Sequence, residues 1–266
     1  DISCQNGDFL TFSVKASSSI CRREVIRINT VRPRNRTQSP MPDEPQPWTD
    51  IAGKAFDDAK RLFKEGDYAG ALERHEWFHE HALEFKSGYY GVRLSYALGH
   101  WRQLADVYPP AMASLISIRD RDSQRLLDGI GSPQLLHDVD SINDALEQTD
   151  ATLALFRSLE RAHPELSQQS FGYVDRLCLS SDPALFRRHC GDPVSFFRQQ
   201  REGYLRSAMY MRERGRSDAS GLDESRADLR VLATRISEVF SDDADVASKV
   251  SRLESTTDDE LTRRLE

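Results

Sequence analysis

The sequence predicts an all-α protein, built of antiparallel helix-turn-helix pairs in a right-handed stack and extended by additional C-terminal helices. Three observations carry that expectation. Apolar residues recur three and four positions apart from residue 49 almost to the C-terminus. Short turns rich in Gly, Pro and Asp separate the runs. No strand-like alternation of apolar and polar residues competes after residue 48. The 38% hydrophobic content and 30% charged content suit elements that bury one stripe each, as helical layers do.

The first helix starts at Thr49 or Asp50, either of which can cap it, and carries Ile51, Ala55, Phe56, Ala59, Leu62 and Phe63 on one stripe. Gly66 ends it and Asp67 caps the next. That second helix aligns Ala71, Leu72, His75, Phe78, His79, Ala82 and Leu83, and stops at Lys86-Ser87-Gly88. Beyond Pro109-Pro110 an amphipathic run covers 111–127 and ends at "GIGSP". Pro133 opens a helix through Leu136, Val139, Ile142 and Leu146, and Asp150 caps another that ends before His163-Pro164. Phe171, Val174 and Leu177 suggest one more, 183–189 is a short one, and 193–214 is long.

The stretch "LFKEGDYAGALERHEWFHEHALEF" resembles the second half of a tetratricopeptide repeat, with Leu62, Gly66, Tyr68, Ala71 and Phe78 at its small and apolar positions. Thirty-three residues on, "SYALGHWRQLADVY" repeats the theme, Gly99-His100-Trp101 answering Gly66-Asp67-Tyr68. The resemblance covers roughly 55–108 and is partial: the first-helix Trp and Leu-Gly and the closing Pro of the motif are missing. The segments "ERHEWFHEHAL" and "YPPA" are also similar to segments of uncharacterised bacterial proteins. These likenesses imply a helical-repeat fold that binds other proteins, and no particular chemistry.

Three regions are expected. Residues 1–47 form a disordered leader, kept extended by Pro40, Pro42, Pro45 and Pro47, with Met41 as the natural start of the chain. Its Arg-rich "CRREVIRINTVRPRNR" weakly resembles an organellar transit peptide, and Asn35-Arg36-Thr37 has the form of a glycosylation triplet. Residues 48–215 form the helical-repeat domain. Past the polar hinge 215–221, a C-terminal segment, 222–266, sets Leu229, Leu232, Ile236, Val239, Val246, Val250 and Leu253 on heptad positions. That seam pairs with a second copy, giving a homodimer through 225–253, or else splits at Ser241-Asp242 into two helices that fold back.

Charge narrows the partners. Residues 1–40 hold seven Lys/Arg against three Asp/Glu, a balance of +4, which leaves −11 on the rest of the chain. An acidic body argues against nucleic acid and anionic lipid as its main ligands. No apolar run reaches the roughly 18 residues that a membrane helix needs. Cys4, Cys21, Cys178 and Cys190 lack the spacing of a disulfide framework, so reduced thiols in a cytoplasm are expected.

The sharpest motif lies in "RHEWFHEH", residues 74–81, which contains the zinc-peptidase pattern H-E-x-x-H. Residues four apart share a helical face, so His75 and His79 could hold zinc while Glu76 polarises a water. The pattern is cheap, arising by chance in roughly one chain per hundred of this composition. Glu73, Arg74, Glu80 and His81 crowd the helix with charge, Ala82 and Phe85 stand where the longer motif has Gly and His, and no spacing singles out Glu84, His100 or Asp106 as third ligand. The alternative places both histidines on the stripe that packs against neighbouring helices. The expected function is then a non-enzymatic scaffold without cofactor, binding a protein or peptide on the concave surface of its tetratricopeptide-like stack through Trp77, Tyr89, Tyr90, Tyr96 and Trp101. The runner-up is a zinc-dependent hydrolase.

Overall fold

A computed structural model describes residues 50–213 and 219–265, with the side chains of 219 and 220 undescribed. The leader 1–47 with Met41, the Asn35 triplet, Cys4 and Cys21, and most of the polar hinge lie outside the described residues. Within them the protein is all-helical, without a strand.

The first two helices follow their punctuation closely. Asp50 caps α1 (Ile51–Glu65) by accepting from Gly53 N at 2.9 Å. Gly66 closes it in the left-handed region at φ 83°, a conformation that costs glycine nothing. Asp67 then caps α2 (Tyr68–Phe85) through Gly70 N at 3.0 Å. The two helices pack as an antiparallel hairpin, with the small residues Ala52, Ala55, Ala59, Ala71 and Ala82 buried to let the backbones approach.

Thirty-three residues on, the pattern is not repeated. Gly99-His100-Trp101 lies inside one continuous helical stretch: α3 (Tyr89–Val92), a π-helical turn (Arg93–Ala97) and α4 (Leu98–Val107). The physical reason is the missing cap. His100 offers no short side-chain oxygen where Asp67 does, and Gly99 does not take a positive φ. The α1/α2 hairpin has the helix-turn-helix form, and the second turn expected at Gly99 is helical instead.

Prolines start much of the rest, at a position whose N–H would be unpaired anyway: α5 (Pro109–Leu127), α6 (Pro133–Ala145), α8 (Pro164–Ser170), α10 (Pro183–His189) and α11 (Pro193–Glu213). Helix α7 (Thr149–Ala162) begins just before Asp150 and without a side-chain cap. The helix expected around Phe171 and Leu177 is divided instead, because a 3-10 turn at Phe171–Tyr173 separates α8 from α9 (Asp175–Ser181). Trp101, Leu104, Leu115 and Ile142 lie in one core cluster, which draws on α4, α5 and α6.

The turn after α5 yields a prediction. Gly129 has φ 73°, and a methyl group there would meet His163 Cε1 at 2.7 Å, while His163 Nε2 is bonded to Leu127 O at 2.8 Å. Gly129→Ala is expected to destabilise by about 1 to 3 kcal/mol in urea unfolding. Gly91→Ala, helical and meeting nothing within 4 Å, should be neutral or slightly stabilising.

The described chain divides after Cys190 rather than at the polar hinge. Helix α11 packs with α12 (Ala219–Val239), α13 (Ala244–Ser255) and α14 (Thr257–Leu265). Among its ties there, the buried Arg201 donates from Nε to Thr257 Oγ1 at 3.0 Å and from Nη2 to Thr256 O at 3.1 Å, and Glu202 accepts from Arg264 at 2.7 and 2.9 Å. The heptad positions fall on two helices, with Asp243 capping α13 through Val246 N at 3.2 Å. Leu229, Leu232, Ile236, Val246 and Val250 are already buried within the one chain, so the seam needs no second copy to cover it.

Candidate functional site

Helix α2 separates its side chains onto two faces, and both histidines of the motif take the inner one. Their side chains are buried, His75 2% and His79 6% exposed. Trp101, itself 1% exposed, stands between them: His75 stacks on its ring at 5.7 Å and His79 meets it edge-on at 6.0 Å. Phe56 closes the far side of His75 at 6.3 Å, and Trp101 Nε1 donates to Ala111 O at 3.2 Å. Burial first, then the neighbouring His100, pushes the His75 imidazolium down to about 4. Burial followed by the Arg93 charge pushes His79 down to about 3, with Asp122 opposing. Both rings are therefore neutral near pH 7.

Arg93 is the residue that sequence reasoning missed. It opens the π-helical turn and is 5% exposed. Its Nη1 donates to the backbone oxygen and to Nε2 of His79, each at 3.3 Å, which leaves that ring nitrogen unprotonated. Its Nη2 donates to both oxygens of Asp138 on α6 at 2.7 Å, and its Nε has no partner. The network runs on to Tyr90, whose ring centroid lies 6.0 Å from the guanidinium carbon. Tyr90 Oη is hydrogen-bonded to His137 Nδ1 at 2.7 Å, and His137 stacks on Tyr173 at 4.9 Å. Burial, then Asp138 and Tyr173, raises the Tyr90 hydroxyl above its ordinary range. One signal was legible: polar His137, Asp140 and Asn143 recur at three-residue spacing on the stripe of α6 that also carries Leu136 and Val139. The pairing of Arg93 with Asp138, 45 residues away, left no local trace.

The residues of the motif do not fit a zinc ion. The Nε2 lone pair of His79 faces a permanent guanidinium charge, and the Trp101 ring fills the space against both imidazoles. Glu76 points elsewhere, accepting from Ser114 Oγ on α5. The three proposed further ligands scatter: Glu84 bonds His81 at 2.9 Å, His100 meets Phe56 at 5.6 Å, and Asp106 pairs with Arg102. Among the described residues no group of three or more His, Cys, Asp or Glu is gathered where a metal could be held.

The outer face of α2 has a different character. Trp77, His81 and Phe85, four apart, bring their rings together, Trp77 lying 5.4 Å from His81 and 5.6 Å from Phe85. Trp77 is half-buried against the cluster of Ala52, Phe78, Ala82 and Ala97, while Phe85 is 51% exposed. An open groove of about 530 Å³ between α2 and α5, lined by Glu76, Glu80, Ser114 and Ser117, borders this face.

Of the five aromatics expected to meet a partner, the structure brings only some to the surface. Trp101 is sealed in the core and has no surface to offer. Tyr89 donates to Asp50 and carries Lys86 over its ring at 5.6 Å, and Tyr90 belongs to the polar network. Tyr96 is 42% exposed, and Trp77 sits in the aromatic group. Sequence reasoning missed His81 and Phe85, although their i, i+4, i+8 spacing with Trp77 is legible. Comparison of the chain with protein-family models, curated proteins and solved structures returns no match. Among the described residues no helix is long and apolar enough to cross a membrane.

Proposed function

We propose that this protein is a non-catalytic interaction module, in which a tetratricopeptide-like α1/α2 hairpin on a helical body docks another protein along the outer face of α2. The observation that carries this reading is the contrast between the two faces of one helix. The inner face is filled by His75, Phe78, His79 and Ala82, whereas the rings of Trp77, His81 and Phe85 are grouped along the outer face, where Phe85 is 51% exposed and Trp77 is only partly covered by the core cluster beneath it. Aromatic side chains with one apolar face at solvent are the usual anchors of a protein interface. The buried Arg93 network then serves to fix α2 against α6 and hold that face rigid.

A photo-cross-linking residue in place of His81 tests it. The expected result is one discrete adduct in cells, absent when the cross-linker replaces the exposed Ser251 and lost in the Trp77→Ser/Phe85→Ser variant with its helical circular dichroism intact. An adduct that survives the double substitution would place docking elsewhere.

A further inference from the structure

Resting on that reading of α2, the charge around the aromatic group identifies the partner's chemistry: we infer that the outer face of α2 docks a Lys/Arg-rich amphipathic helix. Between residues 73 and 85 the helix carries four glutamates against one arginine. At 100° per residue, Glu73, Glu80 and Glu84 fall within about 60° of Trp77 and on one side of it, so carboxylates line one edge of the indole's stripe while His81, Phe85 and Arg74 lie on the other. Glu73 and Glu80 are exposed, and so is Glu84. Two of the three have a neighbour, Glu80 with Arg121 at 3.0 Å and Glu84 with His81 at 2.9 Å, and both contacts are on the surface. Glu76 adds a fourth carboxylate at the border of the groove toward α5. Against them stand Arg74, Arg121 and Lys86, Arg121 already paired with Glu80 and the amine of Lys86 lying over Tyr89.

Aromatic faces attract cations, and carboxylates beside them strengthen that attraction while rejecting an acidic partner. The ring group spans nine residues of α2, Trp77 to Phe85, and their eight steps cover about 12 Å, or roughly two helical turns. A partner helix matches it by presenting apolar residues at i, i+4 and i+7 to the rings and Lys or Arg on the flanking positions to the glutamates.

Three synthetic amphipathic peptides test this on the full chain by fluorescence anisotropy: one of leucine and lysine, one with glutamine for every lysine, one with glutamate. The lysine peptide is expected to bind at least about tenfold tighter than the glutamine peptide at low salt, and to lose much of that advantage at physiological salt. The advantage should vanish in Glu73→Gln/Glu80→Gln/Glu84→Gln, and binding of both should be lost in Trp77→Ser/Phe85→Ser. Equal affinity for lysine and glutamine peptides, both dependent on Trp77, overturns the inference and leaves the docking face standing. Lysine-peptide binding indifferent to all these substitutions, or binding of none of the three peptides, also overturns it. The adduct at residue 81 then decides the docking face separately.

Discussion

Asp138→Ala is expected to lower the free energy of unfolding by about 3 to 5 kcal/mol, the cost of leaving a buried guanidinium without its counter-charge. Arg93 is 5% exposed and gives both bonds of its Nη2 to Asp138, so the alanine variant strands a positive charge that water cannot reach. Desolvation also raises the Asp138 carboxyl above its ordinary value, with Arg93 opposing, which marks the site as one where charge is costly to bury. The double variant Arg93→Met/Asp138→Leu removes both charges and should recover most of the loss, since a buried ion pair is often replaceable by apolar residues of similar volume. Urea unfolding of Arg93→Met, Asp138→Leu and the double variant gives the coupling. Additive losses would mean that the two side chains do not act as a pair.

The second large effect is loss of stability in mild acid. In the unfolded chain His75 and His79 take up a proton at the ordinary value of about 6.5. In the fold they are held down to about 4 and about 3. Below about pH 6.5 the unfolded state therefore binds more protons than the native state, so stability falls as pH falls and is complete only above that value. Between about pH 7.5 and about pH 5 each histidine should remove about 2 kcal/mol. His100, lowered by burial and then by Lys60 and Lys64, adds a smaller loss of the same sign. Chemical unfolding at the two pH values measures the sum, and His75→Phe/His79→Leu should flatten most of the dependence. An equally steep loss in that variant would assign it to other groups.

How much of this was readable follows from where the information lies along the chain. The boundaries of α1 and α2 are written in Asp50, Gly66 and Asp67, because caps and left-handed turns are local. Prolines at the starts of α5, α6, α10 and α11 are equally local. The helical period also set His75 and His79 on the stripe that faces neighbouring helices, leaving open whether a metal or Trp101 waited there. Distance in sequence set the limit elsewhere. The π-helical turn at Arg93–Ala97 has no composition of its own, and Arg93 reads as a surface residue until Asp138 is beside it. Matching Gly99 to Gly66 failed because similar residues lacked the capping carboxylate that makes the first a turn. Assigning α11 to the first domain failed because it packs against the C-terminal helices, and its polar ties to them, Arg201 on Thr256 and Thr257 and Glu202 on Arg264, join residues more than fifty positions apart.

The claim on which the rest depends is that α2 turns its two motif histidines inward as neutral packing groups and keeps only its aromatic outer face for a partner. Nitrogen NMR of the histidine rings, with and without one equivalent of zinc, tests it most directly. The account predicts that His75 and His79 stay neutral down to about pH 5.5, that His79 carries its proton on Nδ1, and that zinc moves neither. A ring that titrates near 6.5, or resonances of both that shift together on adding zinc, would contradict it.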